Sequence, residues 1–230
     1  MHTLAFLVFL FLQPTAHRAV EPPVPFYDWG ACPFEGCTYR RWQAVKPVTV
    51  WTGRDRCHVA FTIKPKEWTR GITGVVITVR PGITRVLVKM TLGDKPQVVL
   101  SPGDVLYTLH DLGEGYDLFW FHGKTYSDQI SGEADDGPPP AGAQIQIISR
   151  PEYVWWVKVR NAKGQVGWTD QTDRFTNMDQ FAWNRRGSAA LGIAAALGRA
   201  SSLLNGALSV TQKHAPACRI QKRGDGCCND

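Results

Sequence analysis

Two cysteines stand five positions apart in the aromatic stretch DWGACPFEGCTYRRW, residues 28–42. A zinc site needs four ligands, whereas Cys32 and Cys37 offer two, with no second pair nearby. A redox centre needs the C-x-x-C spacing at the start of a helix, whereas Pro33 and Gly36 favour a turn. The stretch therefore predicts no metal site. It predicts a disulfide between Cys32 and Cys37 if the chain matures under oxidising conditions, with other pairings of Cys57 and the tail cysteines left open.

The histidines supply the remaining candidates for catalysis. His58 follows Cys57, but neighbouring side chains on a strand point in opposite directions, which separates this thiol from the imidazole. Two other pairs imitate a general base with its orienting carboxylate: His110 with Asp111, and His122 with Asp117. Neither a zinc-binding histidine spacing nor G-x-S-x-G occurs in the sequence. We expect no catalytic residue and no cofactor, and keep a secreted thiol-dependent or hydrolytic enzyme built on Cys57 and His58 as the alternative.

The N-terminal residues bear on the compartment. LAFLVFLFL, residues 4–12, is an apolar run of nine, followed by small residues at Ala16 and Ala19. A secretory signal has an apolar core of this length, whereas a spanning helix needs about 20 residues. Because no Lys or Arg precedes the run and neither exit offers a clean A-x-A, an uncleaved N-terminal anchor stays as the alternative. We expect residues 1–19 to be a signal peptide and the protein to be exported, periplasmic or extracellular.

Composition and charge exclude further classes. The 230 residues are 43% hydrophobic and 20% charged, which is an ordinary globular composition. Residues 183–230 hold seven Lys or Arg against two Asp, so they carry +5 of the net charge of +6. The nearly neutral body argues against a nucleic-acid partner. Arg199 interrupts the Ala-rich stretch 187–210, so the tail is expected to be flexible or weakly helical rather than a membrane span.

Short β-rich runs separated by Gly and Pro follow from Val48 onward. The runs are VTVWT (48–52), HVAFTI (58–63), GVVITV (74–79), RVLVKM (85–90), QVVL (97–100) and DVLYTL (104–109). Their β-branched and aromatic content predicts strands joined by turns. The sequence therefore predicts an all-β fold.

A repeat follows within this β region. Residues 103–126 and 145–169 share one order of elements: a strand, a charged turn, an aromatic strand and a hairpin containing Gly and Lys. In the second copy, Trp156 and Lys158 alternate with Val157 and Val159, which predicts one apolar face. The linker SGEADDGPPPAGA, residues 131–143, joins the two copies.

These residues carry a resemblance. WWVKVRNAKGQVGWT, residues 155–169, resembles the signature of bacterial SH3-like (SH3b) domains, in which an aromatic strand, a Gly hairpin and a Gly-Trp pair close a small barrel. Residues 100–126 are similar to a more divergent copy. WGACPFEGCTYR, residues 29–40, is similar to a segment that precedes tandem barrels in a group of exported bacterial proteins. The resemblance implies tandem, non-enzymatic barrels that bind peptidoglycan, peptides or other proteins.

The predicted domain organisation follows from these patterns. It comprises a signal peptide (1–19), a linker with an aromatic and cysteine segment (20–47), a β domain with the divergent copy (48–130), a linker (131–143), the second copy (144–181) and a low-order tail (182–230).

SH3-type recognition uses an aromatic groove, which is where we expect a ligand. The candidates are Tyr153, Trp155, Trp156 and Trp168 in the second copy, and Tyr116, Trp120 and Tyr126 in the first. Small barrels also fill their cores with large residues, which is the competing interpretation for each of these side chains. Because strand neighbours face opposite ways, Trp155 or Trp156 must point away from the barrel centre, towards a packing partner or a ligand.

The sequence thus predicts a non-catalytic binding or scaffolding protein of the cell envelope. Its expected partner is a cell-wall glycan or peptide, or an envelope protein, and it meets a membrane only if the N-terminal segment is uncleaved. The disulfide is expected to present an aromatic plug made of Phe26, Tyr27, Trp29 and Phe34. A structural anchor with an uncleaved N-terminal helix is the third alternative.

Overall fold

The computed structural model describes residues 20–130, 139 and 141–180. The predicted signal peptide, most of the linker 131–143 and the tail 182–230 with its three cysteines lie outside the described residues. Within these ranges the chain is all β, as predicted, with one short 3-10 turn at Thr172–Arg174. No helix in the described ranges has the length and apolar character needed to cross a membrane.

The strands follow one another along the described chain with short connections. In order they are β1 (Phe26–Trp29), β2 (Arg41–Ala44), β3 (Val48–Trp51), β4 (Val59–Ile63), β5 (Trp68–Arg80), β6 (Gly82–Val86), β7 (Met90–Leu92), β8 (Val98–Leu100), β9 (Val105–Gly113), β10 (Tyr116–Phe121), β11 (Lys124–Asp128), β12 (Ile145–Ser149), β13 (Glu152–Arg160), β14 (Val166–Thr169) and β15 (Phe175–Thr176).

Two curled sheets and one hairpin contain these strands. The large sheet has the order β15-β2-β5-β13-β14-β3-β4, with β1 pairing to β5 beside β2. The small sheet has the order β11-β10-β9-β6-β12, and β7 and β8 form the separate hairpin. All strand pairs within the two sheets are antiparallel.

A bent two-stranded ribbon joins the sheets. β5 pairs with β13 in the large sheet, and their continuations β6 and β12 pair in the small one. Pro81 and Pro151 stand at the bend, where a residue without an N–H cannot continue a ladder. Arg80 and Glu152 form a salt bridge of 2.5 Å beside it. The Arg-Pro-Glu turn predicted at 150–152 is therefore a crossing between sheets.

Each sheet has its own core. The first core lies on the inner face of the large sheet and contains Trp42, Ala44, Val48, Val50, Ile63, Val76, Trp155, Val157, Val159 and Phe175. The second contains Val86, Leu92, Leu100, Leu106, Phe119, Phe121 and Tyr126. The second set falls between β5 and β13, so the small sheet is an insertion in the large-sheet unit. The boundary predicted at 131–143 consequently does not separate the two sheets: the small sheet combines β9, β10 and β11 of the first proposed copy with β12 of the second, whereas β13 and β14 of the second copy lie in the large sheet.

Local strand patterns were predicted with mixed success. Val157 and Val159 are fully buried while Lys158 is half-exposed, which confirms the alternation in β13. The single strand predicted at 85–90 is wrong, because β6 ends at Val86 and β7 begins at Met90. Between them the Leu87 N–H donates to the carbonyl of Gln144. A tertiary hydrogen bond of this kind leaves no trace in local hydrophobicity.

Candidate functional site

Trp155 faces the first core rather than a groove. It is 3% exposed and packs edge to face against Phe34 and Trp42, with ring centroids 5.8 and 6.2 Å away. Its Nε1 donates to the Tyr39 hydroxyl at 3.3 Å, and that hydroxyl donates to the carbonyl of Ala31. Burial raises the pKa of Tyr39 to about 12, so the hydroxyl stays a neutral donor. Trp155 therefore presents no ring face to a ligand.

Trp156 points to the opposite side of β13, as the strand geometry predicted. Its outward ring meets Trp51 edge to face at 6.0 Å and lies under the Arg56 guanidinium at 5.4 Å, which leaves it 6% exposed. The residue predicted to need either a packing partner or a ligand has thus found packing partners at the end of β3 and in the loop that follows it.

The remaining groove candidates lie in different places. Tyr126 is 8% exposed, in the second core. Trp120 is half-buried: its Nε1 donates to the carbonyl of Val20 at 2.9 Å and its ring packs edge to face on Phe26. Tyr153 packs against the first core. Of the named candidates in the second copy, Trp168 remains partly open to solvent and outside the core. The predicted aromatics do not converge on one groove. A ligand-binding role stays a prediction for Trp168, Trp120 and Tyr116, which is 41% exposed on β10.

The outer side of the large sheet collects a second aromatic set, which we call the aromatic face. It consists of Tyr27, Trp29, Trp51, Trp156 and Trp168, with Arg54, Arg56 and Lys158 over the rings. Alternation explains the placement, because Val50 and Gly167 point inward and turn their neighbours Trp51 and Trp168 outward. In the ladders, Trp168 stands opposite both Trp51 and Lys158, so three adjacent strands align their side chains.

In one half of the aromatic face, the cation over the rings is paired with a carboxylate of the same chain. The Arg56 guanidinium lies 5.4 Å from the ring centroids of both Trp51 and Trp156, and it forms a salt bridge with Asp170. Arg56 adopts a left-handed backbone conformation, φ 60°, which turns the loop back over the rings. We call this the closed half. Beside it is a concavity of about 230 Å³ lined by Trp51, Arg56, Asp170, Gln171, Asp173 and Arg174.

The other half is exposed, and we call it the open half. Trp29 is 59% exposed and Tyr27 42%, and their rings are nearly parallel, 13° apart, with centroids separated by 6.1 Å. The Arg54 guanidinium lies 4.9 Å from the Trp29 centroid and 5.7 Å from that of Trp168. Lys158 Nζ is also 5.7 Å from the Trp168 centroid. Within the part of the chain that the structure describes, neither cation takes part in a hydrogen bond or an ion pair.

The N-terminal aromatic segment is divided between the two sides of the sheet. Phe34 packs against Trp155 on the inner side, whereas Tyr27 and Trp29 lie outside. Cys32 and Cys37 are at disulfide-bonding distance, with Cα atoms 5.5 Å apart, in the connection after β1. The predicted pairing of Cys32 with Cys37 is thus present. Two of the four residues of the predicted plug, Tyr27 and Trp29, are instead exposed on the outer side of the sheet.

Charged and polar groups meet where β1 crosses β9, in a cluster that we call the junction: Asp28, His110, Asp111, Asp117 and Tyr153. His110 is fully buried, with Nε2 2.9 Å from Asp28 Oδ2 and Nδ1 2.9 Å from the carbonyl of Asp111. Asp117 stands opposite Asp111 in the ladder, and burial, followed by the charge of Asp111, raises the pKa of Asp117 to about 6. His122, the partner that the sequence suggested for Asp117, instead packs its ring on Phe121.

Reactive groups elsewhere do not assemble a second centre in the described ranges. Cys57 is disulfide-bonded, and a disulfide has no thiolate with which to attack a substrate. No group of three or more His, Cys, Asp or Glu side chains among residues 20–130 and 141–180 is placed to hold a metal ion.

Comparison of the chain with protein-family models, with curated proteins and with solved structures finds no match. The resemblance to SH3-like domains therefore stays a prediction, and the class defined by the structure is an all-β protein of two curled sheets. Sequence reasoning did not select Arg54 or Lys158. The signal that would have found Arg54 is the Arg-rich loop TGRDRCH, residues 52–58, directly after Trp51.

Proposed function

We propose that the chain is a non-catalytic binding or scaffolding protein of the cell envelope, which holds a cell-wall glycan against the open half of the aromatic face. The observation that carries this proposal is the pair of neighbouring exposed rings, Tyr27 and Trp29, with Trp168 beside them. Large aromatic rings grouped at a surface are typical of interaction sites rather than of ordinary solvent-exposed strands.

The exposed rings favour a sugar over a strand-like peptide. β13 and β14, which present Lys158 and Trp168, are each paired on both sides, so among the described strands of this surface a peptide finds a free edge only at β1, which pairs with β5 alone. The residues that are most exposed on β1, Tyr27 and Trp29, are aromatic, and aromatic rings stack against the flat C–H face of a pyranose. The cysteine pair at disulfide distance is compatible with an oxidising, exported location.

The enzyme alternative has less support. Cys57 has no free thiol. His110 has both ring nitrogens committed and no exposed surface, so a substrate cannot reach it without disrupting the junction. These contacts suit a structural tie between β1 and β9 better than a general base.

Sedimentation of the full-length protein with purified peptidoglycan tests the proposal. Trp29→Ala and Trp168→Ala are expected to move most of the bound protein into the supernatant. Tyr116→Ala tests the competing site of the first copy, since Tyr116 is 41% exposed on the small sheet and Tyr27 is 42% exposed on the large one. If Tyr27→Ala and Trp29→Ala leave sedimentation unchanged, the aromatic face is not the binding site. Loss on Tyr116→Ala alone would move the site to the small sheet.

A further inference from the structure

Two arginines of one loop lie in matching surroundings but differ in their partners. Arg56 lies over Trp51 and Trp156, and Asp170 accepts a hydrogen bond from its guanidinium. Arg54, two residues earlier, lies over Tyr27, Trp29 and Trp168. No carboxylate reaches Arg54 from any described residue.

Ring contacts leave the hydrogen-bonding capacity of Arg54 unused. An arginine carries five N–H donors in the plane of its guanidinium, and contacts through an aromatic face do not consume them. Three rings restrict where the Arg54 guanidinium lies, which lowers the entropy lost when it binds an anion. A carboxylate is the anion whose two oxygens match the guanidinium fork.

We propose that the open half recognises a glycan whose sugars carry carboxylate groups. A sugar ring stacks on Trp29 or Trp168, and its carboxylate accepts hydrogen bonds from Arg54, as the Asp170 carboxylate does from Arg56 in the closed half. Lys158, which lies on β13 opposite Trp168 of β14, supplies a second positive charge for the next acidic sugar. This inference rests on the proposed function, because it specifies the chemistry of the glycan at the same surface.

The charge distribution favours local recognition over attraction of any polyanion. Residues 1–182 carry a net charge of only +1, so the body has little long-range positive field. Arg54 and Lys158, which have no carboxylate partner among the described residues, instead stand directly beside the rings of Trp29 and Trp168. A ligand that combines flat apolar faces with single carboxylates fits this arrangement of single cations beside aromatic rings better than a phosphate polymer does.

Isothermal titration of the full-length protein distinguishes the glycan classes. The probes are oligogalacturonate and the corresponding neutral oligogalactan, each at low salt and at high salt. We expect Arg54→Gln to weaken oligogalacturonate binding about ten-fold or more, the size expected for hydrogen bonds to a charged group, and to leave neutral binding unchanged. Arg54→Lys should restore part of the affinity, and high salt should weaken binding of the acidic probe alone.

Arg41→Gln is the matched control for the arginine. Its guanidinium also lies over a tryptophan, Trp68, at 5.1 Å, but at the far end of β5. This variant should bind both probes like the wild type. Circular dichroism of each variant verifies that the fold is intact.

The outcomes separate the two proposals. Equal affinity of the wild type for acidic and neutral probes, or an unchanged preference in Arg54→Gln, overturns the carboxylate inference while the proposed glycan binding stands. Polyglutamate or polyphosphate binding more tightly than oligogalacturonate, with the same dependence on Arg54, overturns the assignment to a sugar. If Trp29→Ala leaves binding of every glycan intact, the proposed function itself fails.

Discussion

The two sides of β1 show how one strand serves two regions of opposite character. Asp28 points inward to the junction, where it meets the buried His110. Tyr27 and Trp29 point outward to the aromatic face, where both are exposed. In the junction, every hydrogen-bonding group of the buried imidazole is matched by the chain itself.

The balance of charge differs in the same way. The junction contains three aspartates, and burial, followed by the charge of Asp111, raises the pKa of Asp117. The open half of the aromatic face contains two cations and no carboxylate among the described residues. Buried polar groups must be satisfied within the protein, whereas exposed ones are satisfied by water or by a ligand. The comparison therefore favours a structural role for the junction and is consistent with the binding role proposed for the open half of the aromatic face.

The largest expected effect is in the junction. His110→Ala removes a fully buried side chain, leaves a cavity and deprives Asp28 of its partner, so we expect the free energy of unfolding to fall by about 3–5 kcal/mol. Urea denaturation measures it, with the exposed His58→Ala as control. A loss no larger than that of His58→Ala would contradict the structural role of the junction.

Trp156 tests whether the closed half of the aromatic face is packed interior. Because Trp156 is 6% exposed, Trp156→Ala is expected to cost about 3 kcal/mol of stability. Trp29→Ala, at 59% exposure, should change stability by no more than about 0.5 kcal/mol. Similar losses in urea denaturation for both variants would remove the distinction between the halves.

The raised pKa of Asp117 predicts that the stability of the junction depends on pH. Its pKa lies at about 6 in the folded protein and at the ordinary 3.8 when unfolded, so the folded state binds more protons between these values. Stability from this group is therefore greatest below about pH 4 and is lost as pH rises through 6. We expect Asp117→Asn to be more stable than the wild type by roughly 2 kcal/mol at pH 7.5 and to lose that advantage at pH 4.

Denaturation curves of the wild type and Asp117→Asn across this pH range measure that difference. Asp94→Asn, at an exposed aspartate outside the junction, is the control. A gap that widens towards low pH would mean that the carboxylate, rather than the acid, is favoured in the fold.

The smallest stability effect is expected at Arg54. Its contacts are with exposed or half-exposed rings, so Arg54→Gln should change the free energy of unfolding by less than about 0.5 kcal/mol. Asp170→Asn, which removes the partner of Arg56, should cost about 1 kcal/mol. If thermal denaturation shows the larger loss for Arg54→Gln, that arginine is structural.

Local sequence patterns predicted the strands better than they predicted the residues of the candidate site. The order of elements at 144–169 matches β12, β13 and β14, and the turn signals mark most strand ends. The prediction of groove residues was less successful. Aromatic content selected Trp155 and Tyr126 for a groove, whereas both side chains lie in the cores. Aromatic residues suit cores and ligand sites alike, so composition does not distinguish them.

The sequence by itself determined the β class and the opposite orientation of Trp155 and Trp156, because alternation is a property of the extended backbone. Only the tertiary structure decided which partners these faces receive. Asp170 reaches Arg56 across 114 positions, and Asp28 reaches His110 across 82. Such pairs depend on which strands lie side by side, and the insertion of the small sheet between β5 and β13 sets that order. For the same reason, only the folded chain shows that no carboxylate of the described residues pairs with Arg54.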